Sequence, residues 1–335
     1  MKKENVQPCC EKFKTMIGGQ DLIEGIMMRG PEKDATVVRN KDGLNIEVKE
    51  RKIRPKGSFA TWPLIRGPVN FFDSQVVGMK ALMHSADLNP EEGEQENPSK
   101  LDMWLEKKLG QKSFQNLIIG IAVALGLALS IGLFFVLPEV IVGFFESFIK
   151  IAVVRELIKG ALRVIILVSY MALAARMNDI KRMFAYHGAE HKTIRCYEAG
   201  LELTVENVRK QTKHHPRCGT SFLFVVMILS ILIFTVAQEL LLLIPAIKAM
   251  SVGGGLLFKI LMVVCKLLLL PLVVSFTYEI NRLIGRYDNW FTAILAAPGM
   301  WLQRISTNEP DDEMIEVAIT ALQAVLPEHK GADKW

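Results

Sequence analysis

Histidine is scarce in this chain, six in 335 residues, and cysteine scarcer at five. Five is odd, and Cys9, Cys10, Cys196, Cys218 and Cys265 follow no regular spacing. That excludes a disulfide framework and fits a reducing compartment. No basic block is interleaved with aromatics, so nucleic acid is not an expected partner. The opening "MKKENVQPCCEKFKT" lacks an apolar run and a cleavage site, so no signal peptide is expected. No internal repeat and no pair of broken apolar segments is visible, which counts against a transporter.

What is present is apolar bulk with charge between. Half of the residues are hydrophobic and 22% charged, with a mean hydropathy of +0.26. That is too apolar for an ordinary soluble domain and too charged for a chain that lies wholly in a membrane. Four hydrophobic stretches read as spans: 114–137, 157–175, 221–247 and 256–280. The second carries Lys159 and Arg163, and the fourth is interrupted by Lys266 and Pro271. Arg163 and Lys266 are read as snorkelling to the outer interface. The second stretch continues through "MNDIKRMF", predicting one helix that projects past the bilayer towards residue 186.

The expected fold class is an α-helical polytopic membrane protein of about four spans, with a small N-terminal β-rich cytosolic domain and amphipathic helices. Residues 1–60 form the β-rich region. There "DLIEGIMMR" ends at Gly30-Pro31, and "ATVVRN" and "LNIEVKERK" flank the hairpin signal "KDG". An amphipathic helix covers 61–87. On it Arg66, Asp73 and Lys80 recur every seven residues, with Asn70 between the first two, as one polar stripe. An acidic linker at 88–100 precedes the first two spans at 101–175, a loop at 176–219, two more spans at 220–281, and C-terminal amphipathic helices at 282–335. In the last region, 289–306 is expected along the membrane surface. The segment 309–326 has acids in its first turn and an apolar face that needs the N-terminal sheet or another subunit, hence a possible homo-oligomer. The 176–219 loop is rich in Lys and Arg, whereas the loops after the first and third spans are short and poor in charge. The positive-inside rule puts that loop and both termini in the cytosol.

Within that loop, "YHGAEHKTIRCYEAG" places His187 and His191 four residues apart, on one helix face, as two ligands of Zn²⁺ require. Glu190 stands between them, where a general base would take a proton from water on the metal. H-x-x-E-H is the inverted zinc-peptidase pattern. In a chain of this composition it arises by chance in about 0.6% of cases. Gly188 inside the pattern weakens the helix. Further metal ligands are sought, in order, at His215, Cys218, Glu279 and Glu198. The expected cofactor is a divalent metal, zinc first.

The stretches "GGQDLIEGIMMRGP", "YHGAEHKTIRCYEAG", "HPRCGTSF" and "EPDDEMIEVAITAL" resemble the YqhQ-like family of bacterial membrane proteins, over about residues 17–327. The family is a domain of unknown function often labelled a predicted metal-dependent enzyme. The resemblance implies that His187, Glu190, His191, His215 and Cys218 belong to shared motifs and that the chain is multi-pass in the bacterial cytoplasmic membrane. It assigns no substrate. In the first stretch, Glu24 and Arg29 line a site or form a salt-bridged strand face.

Three function classes remain. The first is a membrane-bound, metal-dependent hydrolase at the cytosolic face, acting on a membrane-protein segment or a lipid, with the lipid bilayer as its constant partner. The second is a non-catalytic membrane-biogenesis or scaffold protein with a structural metal. The third is a transporter. Glu190 separates the first two, since a structural site needs no base beside its ligands.

Overall fold

Four antiparallel strands open the structure, a computed structural model that describes residues 13–55, 57–89, 107–108, 110–145, 148–252, 255–287, 289–329 and 331–334. They are β1 (Gly18–Leu22), β2 (Gly25–Arg29), β3 (Lys33–Asn40) and β4 (Gly43–Glu50), in the order β1-β2-β3-β4. The "KDG" signal closes the β3–β4 hairpin, with Asn40 opposite Gly43. Gly43 takes φ +126°, a region that L side chains avoid. The acidic linker lies, from residue 90 on, outside the described residues.

The helices are α1 (Arg66–Leu88), α2 (Gln111–Ile131) running through a π turn (Gly132–Val136) into α3 (Leu137–Phe144), α4 (Ala152–Ala174), α5 (Asn178–Glu198), α6 (Val205–Arg209), α7 (Gly219–Leu242), α8 (Pro245–Val252), α9 (Leu256–Arg286), α10 (Trp290–Ser306) and α11 (Asp312–Val325). The chain divides into two compact units, the first of residues 1–89, 168–229 and 270–335, the second of 90–167 and 230–269.

In the first unit, strand alternation sorts the sheet into two faces. Ile26, Met28, Ala35 and Val37 point to one side and are fully buried against α5 and α11. The amphipathic segment near the C-terminus therefore finds its partner in the N-terminal sheet. Asp311 caps α11, accepting from the Met314 N–H at 2.8 Å, and Asp312 and Glu313 fill the first turn. The other face, with Leu22 and Met27, packs on Ala81 of α1. Helix α1 is inverted relative to an ordinary surface helix. Its polar stripe turns inward: Arg66 pairs with Glu279, Asn70 with the Tyr278 hydroxyl, and Asp73 with Arg29. Its Phe72, Val76 and Met79 are exposed.

Helix α5 begins afresh. The second apolar helix ends at Ala174, and Met177 is extended before Asn178. The sequence reading of one continuous helix is corrected here, because Arg176, Asn178 and Asp179 interrupt the apolar run.

Among the described residues, four helices are long and apolar enough to cross a membrane: Leu117–Phe144, Val153–Ala174, Gly219–Leu242 and Leu256–Arg286. The first runs further than the sequence suggested, and the third stops earlier, at a break before α8. In the second unit the ionisable residues do not snorkel. Lys159 Nζ lies 2.7 Å from Glu139 Oε1 and 2.8 Å from Glu156 Oε1, and Lys266 Nζ lies 3.3 Å from Glu139 Oε2 and 3.0 Å from Glu156 Oε2. Two lysines thus alternate with two carboxylates in a closed ring, and Glu156, Lys159 and Lys266 are at most 5% exposed. Arg163 donates from Nε to the Phe134 carbonyl at 2.9 Å and lies over the Phe135 and Phe234 rings. Phe134 sits in the π turn, which disturbs the regular helical ladder where Arg163 docks.

Candidate metal centre

Helix α5 is buried along the middle of the motif, from Ala185 to Ile194. Gly188, which costs helix propensity, is required by packing: a Cβ there would collide with the Asn308 carbonyl oxygen of the strap before α11. The Asn308 N–H donates to the Phe184 carbonyl at 2.8 Å and holds that strap against the helix.

Each histidine is oriented by its second nitrogen. His187 Nδ1 is 2.9 Å from the Ser306 carbonyl, and His191 Nδ1 is 2.7 Å from the Lys213 carbonyl. A carbonyl only accepts, so both Nδ1 atoms carry a proton, and each Nε2 is the ring atom left to face the site. This is how metal-ligating histidines are held. His187 Nε2 then lies 3.1 Å from Cys218 Sγ. His187, His191 and Cys218 each offer one ligand atom, all within 4.8 Å of one another. Cys218 immediately precedes α7, where the helix N-terminus favours a thiolate. Thr220 adds its N–H at 3.4 Å and its hydroxyl at 3.3 Å to the sulfur.

The electrostatics make His187 and Cys218 an imidazolium–thiolate pair, with Nε2–H donating to Sγ, and a metal ion would take that proton's place. Burial by itself would raise the Cys218 thiol, but His187 and His191 outweigh it and bring it well below its usual value. Burial would lower His187, yet the neighbouring Cys218 holds it well above the ordinary imidazole range. Glu190 Oε1 accepts from the Gly19 N–H at 2.9 Å, while its buried Oε2 has no hydrogen-bond partner among the described residues. Burial pushes this carboxyl up to about 7 against the pull of His187 and His191. Gly19 must be glycine for this approach: a Cβ would press on both the Met27 carbonyl and the Glu190 carboxyl.

The order of candidate third ligands changes. Cys218 joins the two histidines. His215 does not: its Nε2 is 3.3 Å from Glu198 Oε2. Glu198 is itself held by Arg217 and the Thr15 N–H, so it lies outside the ligand group. Glu279 is taken by Arg66, with Nε to Oε1 at 2.8 Å. Glu24 pairs with Arg182 and the Tyr186 hydroxyl, and Arg29 with Asp34 and Asp73, which makes both structural here.

Asp21 is the residue that sequence reasoning missed. It pairs across the sheet with Ile26, on the face that meets α5. Burial raises its carboxyl, while the nearby His187 draws it down. The signal was in the sequence: strand alternation puts Asp21 on the same face as Gly19, within the glycine-rich opening stretch.

A family model described as "Protein of unknown function (DUF1385)" matches residues 62–328. The chain belongs to this family. It is 30% identical over 322 residues to the uncharacterized protein YqhQ of Bacillus subtilis (strain 168), covering 94% of this chain and 93% of that one. No solved structure matches. The family's function is unknown, so the site must be argued from its own atoms.

The donor set fits a metal ion. His187, His191 and Cys218 could hold a metal ion through two ring nitrogens and a sulfur, and binding would displace the proton between His187 and Cys218.

Proposed function

We propose that this protein is a membrane-bound, metal-dependent hydrolase working at the cytosolic membrane face. His187, His191 and Cys218 would hold a divalent ion, zinc by donor type, and Glu190 would serve as general base. The observation that carries this reading is the orphan Oε2 of Glu190, buried beside three converging ligand atoms. A site meant only to bind a structural ion has no use for a buried carboxylate oxygen without a partner, which is costly to maintain. When bound, zinc supplies Lewis acidity and brings water at it to a pKa near 7. The chain's own part is proton handling. The Gly19 N–H fixes one carboxylate oxygen and leaves the other to accept a proton from a nucleophile and pass it to a leaving group. Asp21 lies near enough to be felt by the same histidines and adds negative charge that favours a cation.

The basic 176–219 loop supports a cytosolic position for the site and both termini. The exposed Trp290, Phe291 and Trp301 of α10, the helix whose Ser306 carbonyl orients His187, support a site at headgroup level, with a lipid or a membrane-protein segment as substrate.

The test is metal content with function. Elemental analysis of purified protein should give about one divalent ion per chain, lost in the His187→Ala, His191→Ala double variant. Glu190→Gln should keep the ion yet fail to complement a deletion strain at normal protein level, as loss of a general base typically costs 10²–10⁴-fold. A Glu190→Gln protein that complements fully leaves a structural metal and the scaffold reading.

A further inference from the structure

The first unit holds a second candidate site, on the opposite face of the sheet from the histidines. A cavity of about 1080 Å³ is walled by the Met27 and Thr36 face of the sheet, the segment after β4, the polar stripe of α1 and the end of α9. Its walls carry ten lysine and arginine side chains against four acidic ones. That excess rivals the net charge of the whole chain, +5.

Lys49 is matched by Glu47 and Arg66 by Glu279, but the other charges are only partly cancelled. Arg29, Arg51 and Arg54 share only Asp34 and Asp73. Lys80 and Arg282 face the same space and make no ion pair within 4 Å among the described residues. Burial and the adjacent Arg29 lower the Arg51 guanidinium, a sign that the like charges are crowded. Crowded guanidiniums over a concave surface bind phosphate-type anions through several charge-assisted hydrogen bonds.

The surroundings decide which anion. Tyr278, Arg282 and Arg286 belong to the C-terminal end of an apolar helix long enough to span a membrane, so the cavity lies at the level where a span ends. The outer face of α1 presents Phe72, Val76 and Met79, and the preceding segment presents Phe59 and Trp62, all exposed. Apolar and aromatic side chains turned outward beside a basic hollow suit the interfacial zone of a bilayer. Tyr278 is the only aromatic residue lining the cavity among the described residues, so a nucleobase would find little to stack on. We infer that this cavity binds the phosphate-bearing headgroup of an anionic phospholipid, with α1 lying in the membrane interface as its outer wall. This inference stands apart from the metal reading, since none of its residues belongs to the histidine group.

The test uses the full-length protein in mild detergent. Binding of dihexanoyl phosphatidylglycerol, dihexanoyl phosphatidylcholine and glycerol 3-phosphate is compared by thermophoresis. The anionic lipid should bind saturably, at least tenfold tighter than the zwitterionic one. Raising NaCl from about 50 to 500 mM should weaken it severalfold, as screening demands. The Lys80→Gln, Arg282→Gln, Arg286→Gln triple variant should lose at least tenfold while keeping the wild-type metal content. If the triple variant does not melt cooperatively, Lys80→Gln and Arg282→Gln are measured singly, with about threefold expected from each. Equal binding of the two lipids, no loss in the variants, or insensitivity to salt would overturn the inference. Glycerol 3-phosphate binding as tightly as the anionic lipid would make the ligand a free phosphate ester and overturn the lipid assignment.

Discussion

Two groups of buried charged side chains, one in each unit, show opposite ways of satisfying polar atoms. In the second unit, Glu139, Lys159, Glu156 and Lys266 close on themselves, each lysine meeting both carboxylates. In the first unit, His187, His191 and Cys218 bring one ligand atom each within 4.8 Å of one another, and Glu190 Oε2 is left without a partner among the described residues. A proton between His187 Nε2 and Cys218 Sγ satisfies that pair, and a metal ion would replace it while also engaging His191. The ring balances its own charge, whereas the histidine group offers a cation three ligand atoms beside an unpartnered carboxylate oxygen.

The sharpest way to break this contrast is to remove one member of the ring. Lys266→Met should leave two carboxylates over one lysine and destabilise the protein by about 3–5 kcal/mol, the cost of an uncompensated buried charge. Lys266→Met with Glu156→Gln should recover most of that loss, because the ring then drops one charge of each sign. Thermal melting in detergent measures both, and the metal content should stay at the wild-type value throughout. A Lys266→Met protein as stable as wild type would mean that the ring is not the structural lock described here.

The next effect concerns His215, which sits beside the histidine group without joining it. Burial lowers its pKa to about 4, against the hydrogen bond its Nε2–H donates to Glu198. Its folded pKa is therefore depressed below the ordinary 6.5. Above 6.5 it is neutral in both states; as pH falls from 6.5 to 4 the unfolded chain takes up the proton and the folded chain does not. Stability is lost over that window by up to about 3 kcal/mol. His215→Gln should flatten the acid limb of a stability–pH curve between 4 and 6.5. An unchanged limb would show that His215 is charged in the folded protein and closer in kind to a free surface histidine.

Much of the fold was legible because periodicity reports burial. The "KDG" hairpin, the four apolar stretches and the α11 face all follow from spacing and length. The break at Met177 was missed because Ile180, Met183 and Phe184 continue the apolar pattern past Arg176 and Asn178. Lys266 and Arg163 were misjudged because their carboxylate and aromatic partners come from other helices, and pairing between distant segments leaves no local trace. At the site, the spacing of His187 and His191 put both imidazoles on one face, but the choice of Cys218 over His215 depended on the backbone entering α7. Gly188 looked like a weakness until the Asn308 carbonyl explained it.

The smallest effect is expected at Glu24, whose carboxylate meets Arg182 at 2.5 and 2.6 Å on the edge of the first unit. The geometry is bidentate, yet the Arg182 side chain is half exposed, so solvent screens the pair. Arg182→Ala should cost no more than about 1 kcal/mol at neutral pH. The Arg182 hydrogen bond depresses Glu24 below its usual value in the folded state. Its contribution is therefore present above the unfolded pKa of about 4.5 and lost as pH falls through the folded one. The wild type and Arg182→Ala should accordingly converge in stability at acid pH, and their difference should shrink in high salt. A loss of several kcal/mol that persists in salt would place this pair with the buried ring rather than with the surface, and the distinction between satisfied interior charges and screened exterior ones would have to be redrawn around Glu24 and its Tyr186 neighbour.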